Sequence, residues 1–285
     1  MKKYLLLLIC LGSAPGPASL FSQKIFDVHL HATPEIPEQL QQLKAQGVYA
    51  AAVSTSWQLQ DQYRNVEGLR LLRGLMFPCP NGKVPYTDRP CFEDGADFPD
   101  PAWVEEQMKN GSMDFMGEIL AQYYGISPSD EALFPYYALA EKYGIPVGIH
   151  SGLAGPNHGS PDFRVSLGTP LHLEGLLQKF PKLKVWIMHA GIPFQEDCLA
   201  IMLYYRNVYA DISAIANPRI IPPAAFAALM QAFINAGLED RLMFGSDNAE
   251  VKVLVENIER LDFLTEAQKE KIFFRNAETF FGKGN

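Results

Sequence analysis

The chain contains only six histidines, and four of them stand where short apolar runs stop. The stretch "KIFDVHLHA" carries His29 and His31, "GIPVGIHSG" brings its run to His150, and "KVWIMHAG" ends in His189. Two carboxylates hold equivalent places, Glu118 in "FMGEIL" and Asp247 in "RLMFGSDN". Imidazole nitrogens and carboxylate oxygens are ligands of zinc, and alternate residues of a strand face one side, so His29 and His31 can reach a single ion. Each feature alone has a plainer reading. The pair suits the wet face of a strand, His150 or His189 a hydrogen-bonded core residue, Glu118 a rim hydrogen-bond acceptor and Asp247 a helix N-cap. Five strand ends offering such groups together point to a metal centre. Asp27 shares the side of His29 and His31 by the same period and is expected to orient one of them.

Residues so far apart in sequence meet only if a regular scaffold gathers them. Eight candidate strands can be read, "KIFDVHLH", "VYAAAVST", "LRLLRGLMF", "MDFMGEIL", "IPVGIH", "LKVWIMH", "VYADIS" and "RLMFGSD". They alternate with helical patterns, the mark of βαβ units. Eight strands close a barrel whose chemistry sits at their C-terminal ends. The expected fold is therefore α/β, a TIM-like (β/α)8 barrel forming one domain over residues 23–285. Thr169–Pro170 and the Thr265/Gln268 capping box mark helix starts. Pro135 is expected to break or kink the helix read in "SPSDEALFPYYALAEKYG", whose Tyr136, Leu139 and Ala140 should pack on the barrel.

One stretch, residues 78–101, has six prolines and no period. Long irregular insertions are commonly functional, and one following the third strand would cap the pocket. Cys79 and Cys91 flank its proline-rich part. They form either a disulfide, contributing about 3 kcal/mol by closing a short loop, or two separate thiols.

The net charge of −8 comes with no basic cluster, which turns the reading away from nucleic acid and anionic membranes and toward a small-molecule substrate. Residues 1–22 read as a secretory signal: Lys2 and Lys3, an apolar run Leu5–Leu11, then small residues and prolines to Ser22. Cleavage is expected after Ser22, with Ala18 as the alternative, giving an exported, periplasmic or secreted protein. The run is too short for an integral membrane anchor. Ile9 before Cys10 argues against lipidation.

Taken in order, "DVHLHA", "GEI", "IPVGIHSG", "GTPLHLEGLLQKFPKLKVWIMHAGIP", "VYADIS", "RLMFGSDN" and "LTEAQKEKIFFRNAETFFG" resemble the amidohydrolase superfamily. The likeness is greatest to its amidohydrolase 2 branch of metal-dependent barrel hydrolases and decarboxylases. It implies His29, His31, His150 and Asp247 as ligands of a divalent metal. His189 is implied as a second-site ligand or as a free acid polarising the substrate, and Glu118 as a carboxylate bridging two ions. The cofactor expected is zinc, one ion or two, with manganese or iron compatible. Asp247 would also take the proton of the attacking water, making the chain a hydrolase of amide, ester or lactone-like bonds. Non-oxidative decarboxylation on the same site, and a non-catalytic periplasmic binding protein, are the alternatives. Substrate contacts are expected from Trp57, Tyr123, His158, Arg164 and Asn217, with Tyr124 beside them. Arg164 in that place would suit a carboxylate. His172 reads as structural, Asp211 as a residue that holds loops, and homo-oligomerisation is left open.

Overall fold

The computed structural model describes residues 24–282, so the signal segment and Cys10 lie outside the described residues. Eight parallel strands follow one another round a nearly closed barrel: β1 (Ile25–His31), β2 (Val48–Thr55), β3 (Arg70–Phe77), β4 (Phe115–Ile119), β5 (Val147–Ile149), β6 (Val185–Ile187), β7 (Val208–Asp211) and β8 (Leu242–Met243). The gap between β8 and β1 is spanned by Val28 N–H donating to Phe244 O at 2.9 Å and Asp247 N–H to His29 O at 2.7 Å. Around the strands run α1 (Ile36–Ala45), α2 (Pro101–Lys109), α3 (Phe134–Tyr143), α4 (Glu174–Lys179), α5 (Gln195–Tyr204), α6 (Ser213–Ala216), α7 (Pro223–Asn235), α8 (Val251–Glu259), α9 (Glu266–Glu270) and α10 (Asn276–Phe281). None of the described helices is long and apolar enough to cross a membrane.

The lower barrel is filled, as its closed geometry requires. Phe26, Val28, Ala50, Ala52, Leu72, Phe115, Trp186 and Met243 form one buried cluster, plugged from below by Phe280 and Phe281 of α10. Large rings need small partners: a Cβ at Gly148 would overlap the Trp186 ring. A second cluster lies between strands and helices and includes Tyr136 and Ala140, with Leu139 half-buried against it.

Helix starts follow the capping residues. Thr265 Oγ1 accepts from Gln268 N–H at 3.2 Å, and Gln268 Oε1 accepts from Thr265 N–H at 3.0 Å. Thr169 caps a 3₁₀ turn, Pro170–Leu173, before α4 begins. Pro135 puts no kink inside a helix. A 3₁₀ turn (Glu131–Leu133) precedes α3, and the proline falls in the first turn of α3, where its missing N–H would be unpaired anyway.

Three strands stop earlier than their apolar runs suggest. β6 ends at Ile187 and β8 at Met243, and beyond them His189, Ala190, Asp247 and Asn248 adopt φ of 59°, 48°, 49° and 59°. His150 likewise stands one residue beyond β5. Left-handed backbone at residues other than glycine costs of order 1–3 kcal/mol each and persists where its surroundings impose it.

The proline-rich insertion follows β3. Cys79 and Cys91 form a disulfide with their Cα atoms 6.4 Å apart. Within the clasp, Lys83 and Pro90 make an isolated antiparallel bridge, and Cys91 N–H donates to Gly82 O at 2.8 Å. Trp57 N–H, just past β2, donates to Cys91 O at 2.9 Å and ties the loop down onto the barrel mouth.

Candidate metal centre and its pocket

Six side chains converge at the C-terminal mouth. His31 Nε2 stands 3.2 Å from His29 Nε2, 3.3 Å from Glu118 Oε2 and 3.4 Å from Asp247 Oδ1. His29 Nε2 is 3.9 Å from each of the same two carboxylate oxygens. On the other side of Glu118, Oε1 lies 2.6 Å from His150 Nδ1 and 4.0 Å from His189 Nε2. Ligand atoms of His29, His31 and Glu118 lie within 4.8 Å of one another, as do those of Glu118, His150 and His189. Glu118 alone belongs to both groups, the position from which one carboxylate can serve two ions.

Hydrogen bonds fix how three of the imidazoles present themselves. His31 Nδ1 lies 2.9 Å from the Ser54 carbonyl, which can only accept, so Nδ1 carries the proton. His29 Nδ1 donates in the same way to Asp211 Oδ2 at 3.0 Å. Ser213 donates its hydroxyl proton to Asp211 Oδ1 at 2.7 Å and therefore accepts from His189 Nδ1 at 2.9 Å. In neutral rings this leaves three Nε2 lone pairs facing the carboxylates, the arrangement in which histidine binds metal.

Two lone pairs 3.2 Å apart, with carboxylates around them, require positive charge between them. Burial works against a charged His29, but Asp211, Asp247 and Glu118 outweigh it and push the imidazole up to about 10. Burial likewise opposes the ionised forms of Asp211 and Glu118. The charge and hydrogen bond of His29 hold Asp211 down at about 2, and the hydrogen bond and charge of His150 hold Glu118 well below the usual carboxylate range. His189, buried and beside His29, is drawn down to about 4 and stays neutral. His150 Nε2 is buried with no hydrogen-bond partner among the described residues. An orphaned ring nitrogen, converging lone pairs and three carboxylates fit a divalent cation.

Asp211 is wholly buried and joins this network as the residue that orients His29. Its Oδ1 also accepts from the backbone N–H of His189 at 3.0 Å and of Ser213 at 3.1 Å, and with His29 and His189 it forms a third group whose ligand atoms lie within 4.8 Å of one another. The role expected of Asp27 is thus filled from β7. Asp27 Oδ1 instead accepts from the backbone N–H of His29 at 3.1 Å and of Ser246 at 2.8 Å, sewing β1 to the segment after β8. A register shift between Asp27 and Leu30 removes the shared facing that strict alternation implied. Beside the site, a Cβ at Gly245 would stand 2.8 Å from His29 Cβ, so glycine there lets the backbone approach the ring.

Above the ligands opens a cavity of about 650 Å³. Its floor is His31, Glu118, His150, His189 and Asp247, its walls include Met76, Leu120, Ile220 and Ile221, and its roof is Val84–Thr87 with Arg89. Of the substrate contacts read from sequence, Tyr123 lines this cavity, its ring 4.7 Å from that of His150. His158 sits behind Tyr123, 5.2 Å between rings, with its Nδ1 accepting from Ser160 N–H. Trp57, Arg164 and Asn217 are not among the lining residues. The Trp57 ring packs edge-on against Trp103 at 5.1 Å, while its backbone N–H is bonded to the insertion. The Arg164 guanidinium turns to the carbonyls of Pro161 and Phe163 on the exposed face, and Asn217 Oδ1 accepts from Arg219 N–H in its own turn. Tyr124 bonds Asp97 at 3.1 Å, and His172 bonds the Ser166 carbonyl at 3.1 Å. Tyr86 and Arg89 were not singled out in the sequence, since both lie in a segment with no period.

The family model described as Amidohydrolase matches residues 96–283, from the end of the insertion to α10, leaving β1 with His29 and His31 outside the match. No curated protein gives a significant match. Among solved structures, an uncharacterized TIM-barrel protein from Bordetella bronchiseptica superposes with a TM-score of 0.68 at 19% identity, covering 91% of this chain and 100% of that one. 5-Carboxyvanillate decarboxylase from Sphingomonas paucimobilis follows at 0.64 and 14%, covering 91% and 99%. Dihydroorotase from Campylobacter jejuni gives 0.60 and 18%, covering 92% and 84%. At these identities the structures establish the barrel fold alone, while the family match spans well over half of the sequence, and on that ground the chain belongs to the amidohydrolase family.

Proposed function

We propose that the chain is an exported metal-dependent hydrolase that cleaves an amide, ester or lactone-like bond of a small molecule. The observation that carries the reading is the convergence of the His29 and His31 Nε2 atoms on Glu118 and Asp247, with His150 and His189 meeting the other oxygen of Glu118. A divalent ion held there, zinc in this reading and with manganese or iron compatible with the same donors, would supply Lewis acidity and lower the pKa of bound water to about 7.

The chain's own groups do the rest. Asp247, whose side chain is about one third exposed at the cavity floor, takes the proton of the attacking water and passes it to the leaving group. Asp211 and Ser213 keep His29 and His189 in their tautomers through the cycle. The apolar walls exclude bulk water. Export is supported by the pattern of residues 1–22 and by the Cys79–Cys91 disulfide, a bond that persists in oxidising compartments.

A second reading, non-oxidative decarboxylation, is favoured by the likeness in fold to 5-carboxyvanillate decarboxylase. One experiment separates the two: metal-loaded and chelator-treated protein are given panels of amides, lactones and carboxylic acids in ¹⁸O-water. Label appearing in a product only with metal present supports hydrolysis. Release of carbon dioxide with no label in the organic product overturns it in favour of decarboxylation. A binding protein without catalysis would give neither.

A further inference from the structure

Arg89 is the only lysine or arginine among the cavity-lining residues, which include two carboxylates, Glu118 and Asp247. Its backbone is pinned: its carbonyl accepts from Val84 N–H at 2.9 Å and its N–H donates to Thr87 Oγ1 at 3.1 Å. Its neighbours Lys83 and Asp88 are paired with each other at 3.0 Å. The guanidinium makes no hydrogen bond or ion pair with the described residues, so a fork of donors stands uncommitted. The loop end that carries it is tied to Trp57, directly after β2, and therefore lies over the end of β2. There Ser54, 1% exposed and also lining the cavity, has a side-chain oxygen with no partner among the described residues.

We propose that the Cys79–Cys91 loop is the selecting element of the site, and that Arg89, with the Ser54 hydroxyl beneath it, binds a carboxylate carried by the substrate. A guanidinium donates two parallel hydrogen bonds to a planar carboxylate, and a hydroxyl supplies a third. The apolar body of such an acid would lie against Met76, Leu120, Ile220 and Ile221. The disulfide holds Arg89 over the pocket, in the place that Arg164 was expected to take. The proposal rests on the hydrolase reading for its use in turnover, but it concerns recognition and is tested by binding.

Equilibrium binding of benzoate and of its neutral analogue benzamide is measured on the full chain, metal-loaded and metal-free. The expected result is a preference for benzoate of about tenfold or more in both forms, absent from Arg89→Gln, whose metal content and unfolding temperature match the wild type. Ser54→Ala should reduce the preference several-fold, and the Cys79→Ser/Cys91→Ser pair should weaken benzoate more than benzamide. An undiminished preference in Arg89→Gln overturns the proposal. So does a preference that vanishes with the metal, which assigns the carboxylate to the ion. Arg89-dependent binding of inorganic phosphate tighter than that of benzoate also overturns it. Absence of hydrolysis with the Arg89-dependent preference intact would defeat the hydrolase reading and leave this subsite standing.

Discussion

The rim of ligands and the roof above it are built by opposite means. Rim side chains come from the ends of β1, β4, β5, β6 and β8, and backbone and side-chain hydrogen bonds from Asp27, Ser54, Asp211 and Ser213 hold them. The roof is an aperiodic loop, held by one disulfide, a single bridge and a few backbone bonds, with Tyr86 half exposed over the opening. The contrast separates two tasks. Chemistry needs groups fixed to fractions of an ångström, which packed strands provide, whereas selection of a substrate can be changed on a loop without moving those groups.

If that division holds, substitutions in the two regions should differ in kind as well as size. Asp247→Asn should lower turnover by about 10²–10⁴-fold while the unfolding transition stays in place, since the residue faces the cavity at the floor; an undiminished rate would remove Asp247 as the base. Asp211→Asn should weaken metal affinity by about 10–100-fold without altering the number of ions bound, as measured by competition with a chelator. Unchanged affinity would mean that the hydrogen bond to His29 does not matter. In the roof, Cys79→Ser/Cys91→Ser should lower stability by about 3 kcal/mol in denaturant titration and leave metal content untouched. Loss of metal in that variant would show that the regions are not independent. Trp57→Phe should leave kinetic constants within about twofold, because Trp57 packs on Trp103 outside the cavity. A large rise in KM would bring it back as a substrate contact.

The same contrast explains what the sequence revealed. All eight strands were legible because buried parallel strands are written as apolar runs, and His29, His31, Glu118, His150, His189 and Asp247 were legible as polar interruptions at their ends. The early stops before His189 and Asp247 were not, since left-handed backbone at these residues is imposed by the tertiary surroundings. Asp27 and Asp211 both looked like strand carboxylates. Which of them meets His29 depends on the register shift in β1, which leaves no local signature. Tyr86 and Arg89 lie in a loop whose path is set by a disulfide and by contacts with Trp57, so no period could place them over the cavity. Arg164 follows β5 as a residue of the mouth would, but its own loop turns the guanidinium outward.

The central claim is that the six rim side chains form one metal centre, and metal analysis tests it most directly. The wild-type chain, purified without added chelator, should carry at least one divalent transition-metal ion per molecule. Glu118→Gln, which removes the carboxylate common to the His29/His31 and His150/His189 groups, should lose most of that metal while remaining folded. A wild-type protein with no bound metal and no metal-dependent activity, or a Glu118→Gln variant with its full complement, would contradict the account.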